Sequence, residues 1–151
     1  MRAPAAVIPA STTRETGGGA PEFFGALPLA SVALFALNNG VLKRAWPGLV
    51  TGKLSDLMVC FFLPLFISAL LARVSRAALA IRVAAGIALT ATIFIAVKTS
   101  AAASHVLDRD IARLLAPLGL RTAPNRVDVT DLVALPMLAA AWLYARRKAA
   151  R

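Results

Sequence analysis

The sequence is short of charge, and above all of acids. Only 16% of its 151 residues are charged, and seven Asp and Glu stand against 17 Lys and Arg. Soluble domains are about a quarter charged and about half apolar, whereas this chain is 59% hydrophobic. A soluble chain of this length must cover its surface mostly with polar side chains, and too few are present. The lone cysteine, Cys60, excludes an internal disulfide and leaves no second thiol for a metal motif. It lies in an apolar run, where a thiol reads as a small buried hydrophobe. The lone histidine, His105, has only Asp108 as an acidic neighbour at helical spacing and reads as interfacial. No metal site or cofactor is expected, and no phosphatase, protease or P-loop pattern occurs. These shortages exclude a disordered chain, a disulfide scaffold and a soluble enzyme core. They leave a small polytopic membrane protein, all-α in fold class.

The net charge of +10 in a soluble protein would indicate nucleic acid. Here the bases stand at the ends of apolar runs and not along one stripe. The partners they imply are the lipid bilayer and its anionic phospholipid head groups, with no nucleic acid.

Four apolar runs organise the chain, at about 23–42, 57–72, 77–97 and 132–145. A bilayer core of about 30 Å takes about 20 helical residues. The first and third runs meet that directly, with Arg82 inside the third expected to snorkel to the interface. The second and fourth gain a turn from the polar residues before them. Asp131 in front of the fourth run, Arg146-Arg147-Lys148 behind it, and Trp142 and Tyr144 near its end have the character of spanning-helix flanks. Residues 1–21, rich in Ala, Pro, Thr and Gly, read as a disordered tail, 22–146 as the transmembrane domain, and 147–151 as a basic tail. No secretory cleavage pattern follows the first run. Pro28, Pro64 and Pro136 are tolerable in spanning helices, and Ala84, Ala88 and Thr92 form a small-residue stripe suited to close packing.

Between the third and fourth runs, 104–118 places Leu107, Ile111, Leu114, Leu115 and Leu118 on one helical face and the charges elsewhere. This predicts an amphipathic helix lying in the membrane interface, with Ser104 as N-cap; packing against the end of the bundle is the alternative. Four spans put both termini on one side. The bases divide almost equally between the two sides, so placement decides. Arg73 and Arg76 in a very short loop and the basic cluster after the last span put the termini in the cytoplasm.

Two polar stretches enter spans from the other side: Thr51-Gly52-Lys53-Leu54-Ser55-Asp56 and 125–131, NRVDVTD. The ends of the first and third spans arrive there too. One end of the bundle therefore gathers Asn39, Lys43, Lys53, Asp56, Lys98, Asp128 and Asp131. Helix-end electrostatics explains much of this: acids complement helix N-termini and lysines C-termini. Asp128 and Asp131 have the spacing of an N-cap and its third helical residue, and Ser55 and Thr130 are further cap candidates. The functional alternative is a polar pocket in the outer leaflet, since ionisable groups at membrane depth mark substrate or proton paths. Lysines hold phosphate as point charges, and these residue types suit an anionic or lipid-linked ligand. A proton-coupled carrier using Asp56 and Asp131, as a homo-oligomer, is a second reading. An intramembrane enzyme on lipid-linked phosphates is a third, disfavoured by the lack of a nucleophile–base pair.

At Leu37-Asn38-Asn39-Gly40-Val41-Leu42-Lys43, Thr51–Asp56 and Asp128–Pro136 the sequence resembles a group of small, uncharacterised bacterial membrane proteins with a TGKLSD-type motif. More distantly it resembles the VanZ-like proteins, with a basic/acidic motif entering one helix and an Arg…Asp motif, here Arg126 and Asp131, entering the last. It departs from them at Leu57-Met58, where those proteins have His-Phe, and at Leu135-Pro136, where they have Asn-x-x-Gly. The resemblance implies a multi-pass protein of the bacterial inner membrane linked to the cell envelope, and supplies no reaction.

Overall fold

The computed structural model describes residues 20–46, 48–119 and 125–150, and every regular element among them is helical. The expected disordered tail falls mostly on residues outside this set. Its last part does not conform: Ala20 is buried, and its carbonyl accepts from the amides of Phe23 and Phe24. The chain then runs through α1 (Ala26–Leu37), a π-helical turn (Asn38–Leu42), the short α2 (Lys43–Ala45), α3 (Leu49–Val74), α4 (Leu79–Thr99) and α5 (Ala101–Leu115). A 3-10 turn (Ala116–Leu118) ends α5, and a second (Val129–Ala134) leads into α6 (Pro136–Ala149).

Three of these helical stretches are long and apolar enough to cross a membrane: Leu49–Val74, Leu79–Thr99 and Val129–Ala149. At 1.5 Å per residue, the 26 residues of α3 reach about 39 Å, beyond the roughly 30 Å hydrocarbon core. The run at 57–72 is thus the inner part of a longer helix, and the TGKLSD stretch is its second turn and not a cap. Gly48 stands at the N-cap, and Ser55 lies inside the helix. α1 and its π-turn are a shorter apolar stretch, Ala26–Leu42.

α3, α4 and α6 pack side by side, with α1 against α3. Phe61, Leu65, Val83, Ala141 and Ala145 form one buried cluster, and Cys60, Phe94, Ala134 and Leu138 another. Gly86 allows the α3–α4 approach, because a Cβ there would run into the carbonyl oxygen of Pro64. The face of α4 that packs is therefore Val83, Gly86, Thr90, Phe94 and Val97, while Ala84, Ala88 and Thr92 lie on the exposed side. The outer surface stays apolar: Leu70, Ile81, Leu89, Leu143 and Val133 are each about half exposed or more. Contiguous exposed apolar surface on this scale is what lipid contact requires.

The amphipathic helix begins three residues before its expected start. Ser100 is its N-cap, accepting from the Ala103 amide at 3.3 Å. Ser104 is buried and hydrogen-bonded by the Asn125 side-chain amide at 2.9 Å. α5 packs against α4 and the turn that follows it, and Leu114 stays 75% exposed. Its apolar face is thus only partly covered by protein. Gly119, in the left-handed region at φ 67°, ends the helix where a side chain would be strained.

Arg82, in the first turn of α4, is held by protein groups. Its Nη2 reaches Glu22 Oε1 at 3.3 Å, Ser68 Oγ donates to the same oxygen at 3.0 Å, and Nη1 donates to the Ala77 carbonyl at 2.9 Å. Glu22 is 1% exposed, so a buried ion pair fastens the entry of α1 to α3 and α4. Arg147 and Lys148, read as tail, continue α6; Arg151 lies outside the described residues.

Candidate functional site

The charged cluster forms at the opposite end from Glu22, where α3 starts, α4 ends and the 3-10 turn enters α6. Lys98 is its centre. Located at the last turn of α4 and only 5% exposed, its ammonium lies 2.8 Å from Asp131 Oδ2 and 3.0 Å from Asp56 Oδ2. The Asp131 contact has hydrogen-bond geometry, whereas Asp56 Oδ2 is buried and makes an ion-pair contact without it. Lys98 Nζ also stands 5.7 Å from the centre of the Phe94 ring, within cation–π range. A buried ammonium is tolerable only when paired and hydrogen-bonded, and these groups meet that requirement from three helical elements.

Lys53, one turn before Asp56 on α3, reaches across to the 3-10 turn that leads into α6. Its Nζ donates to Asp131 Oδ1 at 3.1 Å and to Thr130 Oγ1 at 2.9 Å. Its side chain is 30% exposed, against 6% for Lys98. Asp131 is therefore held by two lysines, one buried and one at the edge. The capping expectation divides between the two acids. Asp128 is the N-cap of the 3-10 turn, accepting from the Thr130 amide at 2.9 Å and the Thr130 hydroxyl at 2.7 Å. These bonds hold the Asp128 carboxyl below the usual carboxylate value. Asp131, placed to be its capping partner, turns inward to the lysines. Thr130 is not itself the cap but joins Asp128 to Lys53.

The π-turn supplies the other wall. The Asn39 side-chain amide, within the π-turn, donates to the Phe35 carbonyl at 2.9 Å. Lys43 then donates to Asn39 Oδ1 at 2.7 Å, and Ser55 Oγ to the same oxygen at 3.4 Å. Asn38, wholly buried, donates to the Thr51 carbonyl at 2.6 Å and to Ser55 Oγ at 2.7 Å. It fastens α1 to the TGKLSD turn. Lys43 lies within the fields of Asp56, Lys98 and Asp131. Burial holds its ammonium below the ordinary lysine value against the pull of the two acids.

Of the seven residues singled out from sequence, Lys53, Asp56, Lys98 and Asp131 form one ion-pair network. Asn39 and Lys43 form a separate hydrogen-bonded chain with Ser55 and Asn38, and Asp128 is linked to Lys53 through Thr130. Arg126 is exposed and makes no ion pair among the described residues. Sequence reasoning underrated Asn38 and missed Asn125, whose backbone amide donates to both Asp108 oxygens, at 2.9 and 3.0 Å, and whose side chain donates to the Val97 carbonyl at 3.3 Å. No group of three or more potential metal ligands occurs among the described residues. No family model, curated protein or solved structure matches the chain.

Proposed function

We propose that the chain is a four-span protein of the bacterial inner membrane, VanZ-like and associated with the cell envelope, that binds an anionic, phosphate-bearing head group at the lysine cluster. The fourth crossing is α1 with its π-turn, thinning the bilayer locally to match its length. The termini face the cytoplasm and the cluster faces outward. One observation supports the binding role: the Lys53 ammonium stands 30% exposed at the edge of the buried ion-pair network, with the Thr130 hydroxyl 2.9 Å from it. Lys98 is the fixed cation that clamps α3, α4 and the entry to α6. Lys53, with the Thr130 hydroxyl beside it, is the group that receives the ligand. Lys43, incompletely compensated, is the second donor.

A second reading rests on Asp56, a buried carboxylate whose Oδ2 is matched by the Lys98 ion pair at 3.0 Å alone, with no hydrogen bond. A carboxylate left so is a candidate proton site, and a homo-oligomer using Asp56 and Asp131 would be a proton-coupled carrier. A mass-spectrometric inventory of lipids co-purifying in mild detergent separates the two. Enrichment of one phosphate-bearing lipid, lost in Lys53→Gln but kept in Arg146→Gln, supports the binding role. A bulk-lipid profile identical in wild type and Lys53→Gln overturns it.

A further inference from the structure

At the opposite end of the bundle an apolar groove of about 320 Å³ opens between the start of α4 and the end of α6. Leu79 and Val83 form one wall, Trp142, Ala145 and Ala149 the other, and Arg146 stands in its lining. The volume lies at the lower end of the range of ligand sites. The charge around it is of one sign. Arg73, Arg76, Arg146 and Arg147 are exposed and make no ion pair among the described residues. Glu22, the acid at this end, is already taken by Arg82 and Ser68. An apolar slot with an uncompensated guanidinium and a half-buried tryptophan matches a molecule with a hydrocarbon chain and an anionic head. Arg binds phosphate with its planar fork, and tryptophan sits at the head-group level.

We propose that this groove is a specific site for one anionic glycerophospholipid of the bilayer, with an acyl chain between α4 and α6 and its phosphate on Arg146. The site is separate from the lysine cluster and does not depend on the role proposed there.

The test presents the full chain, in mixed micelles, with phosphatidylglycerol and phosphatidylcholine of matched acyl chains. Retained lipid is counted by native mass spectrometry. Wild type should prefer phosphatidylglycerol about fivefold, the ratio that one basic residue near an anionic surface contributes. Arg146→Gln should bring the ratio to near parity while lipid stays bound. The variants are made in a Lys53→Gln background, which removes the lysine cluster's contribution; there Arg147→Gln, one residue away and outside the groove lining, should leave the preference in place. Ala149→Trp, at an exposed position on the last turn of α6, should fill the groove and expel both lipids. A preference unchanged by Arg146→Gln, or lowered as much by Arg147→Gln, would overturn the site in favour of diffuse charge. Lipid retained by Ala149→Trp would overturn the groove.

Discussion

Lys98 is shared between two carboxylates, and this fixes the sign of a double-mutant cycle. In Asp56→Asn the ammonium keeps its hydrogen bond to Asp131 at 2.8 Å. What is lost is an ion-pair contact without hydrogen-bond geometry, so the loss should be about 1 kcal/mol. In Asp131→Asn the ammonium keeps Asp56, but two charge-assisted bonds are weakened, one to each lysine. The loss should be about 1.5–3 kcal/mol, above the roughly 1 kcal/mol or less expected of a cap. In the double variant a 5% exposed ammonium has no carboxylate, and stranding a buried charge costs about 3–5 kcal/mol. The singles together come to about 2.5–4 kcal/mol, so the double loss should exceed their sum by about 0.5–1 kcal/mol, at the lower end of the usual coupling within one network. Equilibrium unfolding of wild type and the three variants in one mixed-micelle system, followed by tryptophan fluorescence and circular dichroism, measures it. Additive losses would refute the shared clamp and return Asp131 to a helix-end role.

Three further outcomes follow from other parts of the molecule. In a Cys60→Ala background, a cysteine at Ala102, exposed on α5, should react with an impermeant maleimide on intact cells and one at Ser75 should not; the reverse pattern inverts the orientation. Gly86→Val should cost about 1–3 kcal/mol by overpacking, because the new side chain meets the Pro64 backbone and not a flexible group; an unchanged melting temperature would show that the α3–α4 contact is loose. Asp128, held below its ordinary value of 3.8 by the Thr130 side chain and amide, stabilises the fold above that pH and loses its contribution as pH falls through the lower folded value. Wild type should therefore lose thermal stability on acidification below about pH 4 more steeply than Asp128→Asn, and parallel curves would contradict the cap.

The membrane helices were legible because hydropathy over a window of about 20 residues is a direct consequence of bilayer thickness. Their bounds were less so. The polar TGKLSD turn, read as a prelude to a span, is helical because Asn38, Asp131 and Lys98 satisfy its side chains from other elements. The convergence of Lys53, Asp56, Lys98 and Asp131 was legible from topology alone, since alternate helices begin on the same side. The partition between capping and clamp was not, because Asp128 and Asp131 have the same local spacing signal and only the position of Lys98 distinguishes them. Glu22 and Arg82 are 60 residues apart in sequence, and Glu22 adjoined a stretch that read as tail. The available signal was an isolated acid at the foot of an apolar run, opposite a base inside another. The π-turn over Asn38–Leu42 leaves no mark in helical periodicity. The start of α5 was masked by two adjacent cap candidates, Ser100 and Ser104, separated by alanines that suit either assignment.

The binding role of the lysine cluster is tested most directly by titrating the purified protein with glycerol 3-phosphate, a phosphate head group with no acyl chain to enter the α4–α6 groove, and reading affinity by calorimetry, in wild type, Lys53→Gln and Arg146→Gln. One partly exposed lysine–phosphate contact is worth about 1 kcal/mol, which is about fivefold in affinity. The account predicts a saturable site whose affinity falls about fivefold in Lys53→Gln and is unchanged in Arg146→Gln. Equal binding by wild type and Lys53→Gln would contradict it.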